Sequence, residues 1–177
     1  MSAVILGAFS LWGVTSAHPF YLSYFTEMVG GPSAGIKYLG DSNLDWGQDI
    51  KTLGAYLKKN GSAPVILSYF GSASPSYYGI KFIPIGIISS HNIKVPPEPE
   101  PCSFKRKLFA ISATNLQGIY YQDKNTFSFL SNIKPVFIAG ESIYLYDLTD
   151  FPLAWQKLSQ LLASQGKKGF TCYSGSN

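Results

Sequence analysis

Charge is scarce in this sequence. Only 14% of its 177 residues are Asp, Glu, Lys or Arg, against about 25% in an ordinary soluble domain. The net charge is +4, but the cations sit in short groups at Lys58-Lys59, Lys105-Arg106-Lys107 and Lys167-Lys168. No stripe of Lys and Arg interleaved with aromatics exists, which excludes nucleic acid as an expected partner. The two cysteines, Cys102 and Cys172, have no CxxC or Cys/His spacing, so this chain alone cannot supply a structural zinc site. Their separation leaves a disulfide open for a domain outside the cytoplasm. His18 and His91 have no metal-motif neighbours and read as loop residues. No Cys/His pair and no phosphate-cradling glycine loop is present, which removes the usual cysteine-nucleophile and nucleotide chemistries. No internal repeat is visible.

What the chain has instead is apolar and aromatic surface. Aromatics reach 15%, with twelve Tyr and twelve Phe, a balance that fits either a deeply buried domain or a chain living beside a membrane. The length suits one domain with a real core. Residues 1–26 contain no Asp, Glu, Lys or Arg, and three readings compete for them. A signal peptide would carry a basic start, which is missing. A buried core helix is the second. The preferred reading is the end of a transmembrane helix leaving the bilayer at His18-Pro19, with Trp12, Tyr21 and Tyr24 as interfacial aromatics.

Beyond the apolar entry, the pattern predicts a compact α/β domain over residues 27–165. A turn at 29–32 leads into a short strand at 35–39. Trp46, Ile50, Leu53 and Leu57 recur at helical spacing and predict an amphipathic helix ending near Asn60-Gly61. Residues 64–70 read as a buried strand, so strand, helix and strand suggest a parallel βαβ unit. A helical turn is expected at 74–79, an irregular strand at 80–88, a third strand at 107–113 and a short helix at 127–132. A strand pair at 135–139 and 142–147 and a terminal helix at 152–164 follow. The Pro-rich stretch 89–107 reads as a surface loop and 166–177 as a loose tail. The predicted architecture is a three-layer sandwich with a mainly parallel sheet and a C-terminal hairpin.

Three of the ten carboxylates, Asp41, Asp45 and Asp49, fall in DSNLDWGQD, residues 41–49, beside Asn43, Trp46 and Gln48. Asp41, Asn43 and Asp45 imitate the start of a calcium loop, but Trp46 stands where the sharp-turn glycine belongs and Thr52 where a bidentate Glu belongs. An EF-hand is therefore excluded. No cofactor is expected, although a looser divalent-cation site at Asp41, Asn43 and Asp45 stays open. The plain structural reading is a helix start, with Ser42 or Asn43 as cap and Asp45 in the first turn. It leaves Asp41, Trp46 and Gln48 unexplained. In open α/β sheets ligands bind outside the carboxyl ends of parallel strands. Tyr69, Asn115 and Tyr78 are expected near those ends. Carboxylates, amides and aromatic faces together suit a hydroxyl-rich ligand such as a sugar.

Four stretches in order, HPFYLSYFTEMVGGPSAGIKYLGDSNLDWGQDIKTLGAYL, LSYFGSASPSYYGI, AISATNLQG and PVFIAGESIYLYDL, resemble the C-terminal extramembrane portion of GT-C-type integral membrane glycosyltransferases related to protein O-mannosyltransferases. The resemblance covers roughly residues 10–150 and is most specific at DSNLDWGQD. It implies residence at the cell membrane, with the domain on the extracytoplasmic side. It also implies partnership with a polyprenyl-phosphate sugar and a glycan or protein acceptor through the full-length enzyme. The catalytic carboxylate of such enzymes lies in an upstream loop that this sequence does not contain, so the chain is expected to be a fragment and not catalytic alone. Asp41, Asn43, Asp45, Trp46, Gln48, Asp49, Tyr69, Tyr78 and Asn115 are the expected ligand-binding residues, with Trp46 stacking on a pyranose. Two alternatives remain: a free-standing carboxylate-dependent glycoside hydrolase, and a purely structural docking domain.

Overall fold

The computed structural model describes residues 2–26, 28, 30–40, 44–86 and 106–166. The first element, α1 (Ser2–Ser16), has no acidic or basic residue in its first or last turn. It ends where the Thr15 hydroxyl turns back onto the Leu11 and Trp12 carbonyls and Ser16 onto Gly13. Its 15 residues span about 22 Å, short of the roughly 30 Å hydrocarbon layer. Among the described residues no helix is long and apolar enough to cross a membrane. The aromatic run after it does not extend the helix; it forms a 3-10 turn at Tyr21–Ser23.

The sheet has five strands: β1 (Val65–Ser68), β2 (Phe82–Pro84), β3 (Leu108–Ser112), β4 (Phe137–Ala139) and β5 (Ile143–Asp147), in the order β2-β1-β3-β5-β4. β1 lies parallel to both β2 and β3, whereas β3–β5 and β5–β4 are antiparallel. The sheet is therefore mixed, not mainly parallel. The reason is local: Gly140 (φ 53°) and Glu141 (φ 68°) are both left-handed, and Ser142 N–H closes onto the Ala139 carbonyl at 3.1 Å. That is the primed two-residue turn whose twist matches a hairpin, and it folds β5 back against β4.

Strands β1, β2, β3 and β5 have both faces buried, edge strand β4 only in part, and period two sends alternate residues to opposite sides. Val65, Leu67, Phe82, Leu108, Ala110, Ile143 and Leu145 meet α2 (Ile50–Lys59) through Ile50, Leu53 and Leu57. Ile66, Ile83, Phe109, Ile111, Tyr144 and Tyr146 meet α4 (Pro152–Ser164) through Ala154, Trp155, Leu158 and Leu162. Both helices show the i, i+3, i+4, i+7 stripe that such a face requires. α2 stops at Asn60, whose N–H reaches the Tyr56 and Leu57 carbonyls, and Gly61 follows at φ 92°. A stacked pair, Tyr56 on Phe137 with centroids 3.9 Å apart, fixes α2 over edge strand β4. Four helices occur among the described residues, the remaining one being the single-turn α3 (Ala113–Leu116).

Two expectations fail here. Residues 35–39 are not a strand: a 3-10 helix covers Pro32–Lys37, entered through left-handed Gly31 with Pro32 in its first turn. The Phe25 ring fills the space where a Cβ on Gly35 would sit, so this segment is packed as a compact turn, and the expected βαβ unit loses its first strand. Trp46 is not on α2 either, because Gly47 at φ 74° breaks the helical path before Ile50. The loop 89–107, apart from Arg106 and Lys107, lies outside the described residues. So do His91, Cys102, Cys172 and the tail beyond Gly166.

Leu53 and Leu158 are both fully buried, one on each face, whereas Leu153 is 75% exposed. Leu53→Ala and Leu158→Ala should each lower the unfolding free energy by about 2–5 kcal/mol, and Leu153→Ala by less than about 0.5 kcal/mol, in chemical denaturation.

Candidate functional site

The loop ahead of α2 is organised around a buried carboxylate. Asp45 is fully buried. Its Oδ1 accepts the Gly47 N–H at 3.0 Å and its Oδ2 accepts the Thr114 N–H at 3.2 Å. The first bond closes the loop on itself; the second ties it to the segment leaving β3. Tyr69, just past β1, donates its hydroxyl to the Gly47 carbonyl at 2.8 Å. A Cβ on Gly47 would collide with the Tyr69 hydroxyl and with the Gly71 Cα. Only glycine therefore fits this left-handed, tightly covered position. Burial pushes the Asp45 carboxyl up to about 6, and the Thr114 and Gly47 N–H groups pull it down.

A second cluster forms at the start of α2. Asp49 is its N-cap, yet the side chain makes no capping bond. It accepts the Ser142 hydroxyl at 2.7 Å instead and lies against Gly140, where a Cβ would strike the carboxylate. Burial raises Asp49 to about 6, Ser142 lowers it, and the Glu141 charge raises it again. Glu141 is itself pushed up by burial, and its Oε2 has no hydrogen-bond partner among the described residues. Gln48 braces the loop: its Oε1 accepts Trp46 N–H at 2.8 Å, and its Nε2 donates to the Leu44 carbonyl at 3.1 Å and to Ser23 Oγ at 3.4 Å. Ser23, buried in the segment after α1, donates to the Gly140 carbonyl at 3.1 Å. The exit of α1, the acidic loop and the hairpin tip thus share one hydrogen-bonded seam.

A cavity of about 140 Å³ opens at this seam, lined by residues 19–23, Gln48 and Asp49. Small-molecule pockets run about 300–1,000 Å³, so this space admits a few solvent molecules and no sugar ring. On the other side of Asp45, Asn115 donates to Ser68 Oγ at 3.0 Å, and Ser112 Oγ accepts the Phe70 N–H at 3.1 Å. These groups stand at the carboxyl ends of parallel β1 and β3, where an open α/β sheet gathers its polar residues.

No family model, curated protein or solved structure matches this chain. Of the residues singled out by sequence, Asp45, Gln48, Asp49, Tyr69 and Asn115 come together at this end of the sheet. Trp46 belongs to the same loop but stands at the surface, 59% exposed. Tyr78 packs beside Gly54 of α2 and lines a different cavity with Tyr77 and Lys58. Asp41, Ser42 and Asn43 lie outside the described residues. Asp45 is not in the first turn of α2, which starts five residues later at Ile50. No group of three or more His, Cys, Asp or Glu able to hold a metal occurs among the described residues. Both Asp45 oxygens already face N–H donors.

Sequence reading missed Ser23, Ser112, Glu141 and Ser142. One signal pointed to some of them: a lone serine adjoins the apolar runs of β1, β3 and β5, as Ser68, Ser112 and Ser142.

The raised carboxyls set a pH dependence. An acid whose folded-state value lies above its unfolded value stabilises the fold fully below the unfolded value and loses that contribution as pH rises through the folded one. For Asp45 and Asp49 the loss falls as pH climbs from about 4 through about 6. Asp147 shifts the other way: against its burial, the Thr149 hydroxyl and Arg106 hold its carboxyl low, a contribution lost only in stronger acid. Thermal melts should therefore give a higher Tm near pH 5 than near pH 7.5. Asp49→Asn should flatten that slope, and a Tm that rises with pH over this window would contradict the assignment.

Proposed function

We propose that the chain is the membrane-apposed, extracytoplasmic α/β domain of a membrane glycosyltransferase that uses a polyprenyl-phosphate-linked sugar. In this reading it is not catalytic by itself. Its carboxylate loop serves to dock the domain onto the helix that reaches the membrane. One observation carries the membrane half of this reading. α1 exposes apolar side chains on all sides, with Val4 at 76%, Leu6 at 67%, Leu11 at 69% and Trp12 at 65%. Among its described residues only Gly13, which lies under the Tyr24 hydroxyl, is buried. Contiguous apolar surface beyond a few hundred Å² is rare on a soluble monomer and marks a membrane or partner contact. A helix that is apolar all round has no face suited to water, and lipid or neighbouring membrane helices supply the missing environment.

The resemblance at DSNLDWGQD supports the glycosyltransferase half. The helices on both faces of one sheet we read as a small three-layer sandwich, in keeping with it. The docking role is supported by the seam that runs from Ser23 through Gln48 to Leu44 and Gly140, since these bonds join the exit of α1 to the sheet. A glycoside hydrolase would need two carboxylates flanking a sugar-sized cleft. Asp45 faces backbone N–H groups instead, and the space beside Asp49 is about 140 Å³. Acceptor or glycan contact remains as a second reading, favoured by the exposed indole of Trp46 at the rim of the same loop.

Flotation with liposomes tests the membrane half. The full chain should float with the vesicles, whereas the double variant Leu6→Lys, Leu11→Lys should stay in the dense fractions with an unchanged near-UV spectrum. A wild-type chain that stays lipid-free, dispersed and monomeric contradicts the proposal.

A further inference from the structure

A second cavity lies away from the carboxylate seam, between the C-terminal half of α2 and the 3-10 turn Pro75–Tyr78. It encloses about 450 Å³ and is lined by Lys58, Ser62, Tyr77, Tyr78 and Gly79. That volume falls within the usual range for small-molecule sites. Its walls have a definite chemistry. Tyr77 is 83% exposed, an unusual position for a large aromatic ring. The ring is not loose: it stands edge-on to Tyr78 at 90°, with centroids 5.1 Å apart, a favourable aromatic geometry. Tyr78 is half-buried and packed beside Gly54, where a Cβ would come within 2.9 Å of the Tyr78 carbonyl. The pair is thus fixed to α2 through a glycine.

The floor is backbone. Gly79 (φ 74°) has no atom within 4 Å of where a Cβ would stand, so the space over it is open. Ser62, also in the lining, adopts a left-handed conformation, φ 52°. Lys58 supplies the one formal charge in the lining, and among the described residues the sole salt bridge is Arg106–Asp147, which leaves its ammonium without a carboxylate. The other large groove, about 390 Å³ beside α4, is lined by both Asp123 and Lys157 and so offers no preference of sign.

We propose that the Lys58–Tyr77–Tyr78 cavity binds an anionic pyranose, with the sugar face laid on the Tyr77 ring and its acidic group against the Lys58 ammonium. The apolar C–H face of a pyranose suits an exposed aromatic platform. Ser62 and Tyr78 add hydroxyl groups to the lining that can both donate and accept hydrogen bonds. Lys58 selects the charged sugar over the neutral one. A uronic acid and a sugar phosphate offer the same two features. This inference rests on the cavity alone and is independent of where α1 resides.

The test uses the full chain in detergent micelles, titrated with glucuronate, glucose 6-phosphate, glucose and acetate while the amide resonances of residues 58–62 and 76–80 are followed. Glucuronate or glucose 6-phosphate should shift these amides saturably, and the tighter of the two identifies the acid. Glucose should bind about fivefold or more weakly, because it lacks the charge read by Lys58. Tyr77→Ala should weaken binding about tenfold and Lys58→Gln about fivefold. Both side chains are exposed, so the fold should be untouched by either change. The proposal is overturned if neither anionic sugar shifts these amides, if glucose binds as tightly as glucuronate, or if acetate does as well as the sugar acids. These outcomes are separable from the flotation result, which reads α1.

Discussion

A carboxylate removed from water is the constraint around which this end of the protein is built. Asp45 has no exposure, and its two oxygens are met by the amides of Gly47 and Thr114. A buried charge persists only if hydrogen bonds replace its hydration, and here backbone donors from two distant segments do so. The consequences spread outward. Gly47 has to turn left-handed and carry no side chain, because the Tyr69 hydroxyl and Gly71 press on it. Tyr69 is then fixed by its own bond to the Gly47 carbonyl, and burial with the Asp45 charge beside it raises its phenol above the ordinary range. The loop, the end of β1 and the end of β3 are held as one object.

That object is also what receives the chain arriving from α1. Ser23 reaches Gly140 and Gln48 reaches Ser23, so the exit segment is tied to both the hairpin tip and the acidic loop. The hairpin tip is strained. Glu141 occupies a left-handed conformation that an L-residue with a long side chain adopts at some cost. Its carboxyl sits half-buried beside Asp49, and burial raises both groups. The strain and the electrostatic tension are concentrated where the segment after α1 meets the hairpin tip.

Much of the framework was legible in sequence because it follows from periodicity. Pro152 in the first turn and the stripe of Ala154, Trp155, Leu158 and Leu162 set the terminal helix. The apolar runs around Val65, Leu108 and Ile143 gave strands whose sides are now known. The failures have equally local causes. Residues 35–39 look like a strand by composition, yet Gly31, Pro32 and the Phe25 ring over Gly35 go with a 3-10 helix that runs to Lys37. Trp46 stands four residues before Ile50 as a helical neighbour would, but Gly47 interrupts the helix. The acidic loop was recognisable as a cluster at a strand end. Its partners were not, since nothing in the local pattern brings Thr114 and Ser142 to Asp45 and Asp49 across spans of 69 and 93 residues.

The central claim is that Asp45 holds the loop to the sheet through two backbone amides. Native-state hydrogen exchange reads those amides directly. The Gly47 and Thr114 N–H groups should exchange as slowly as the paired amides of β3, and Asp45→Ala should release both while β1 and β3 stay protected. Fast exchange at Gly47 and Thr114 in the wild-type chain, or protection unchanged by Asp45→Ala, would contradict the account.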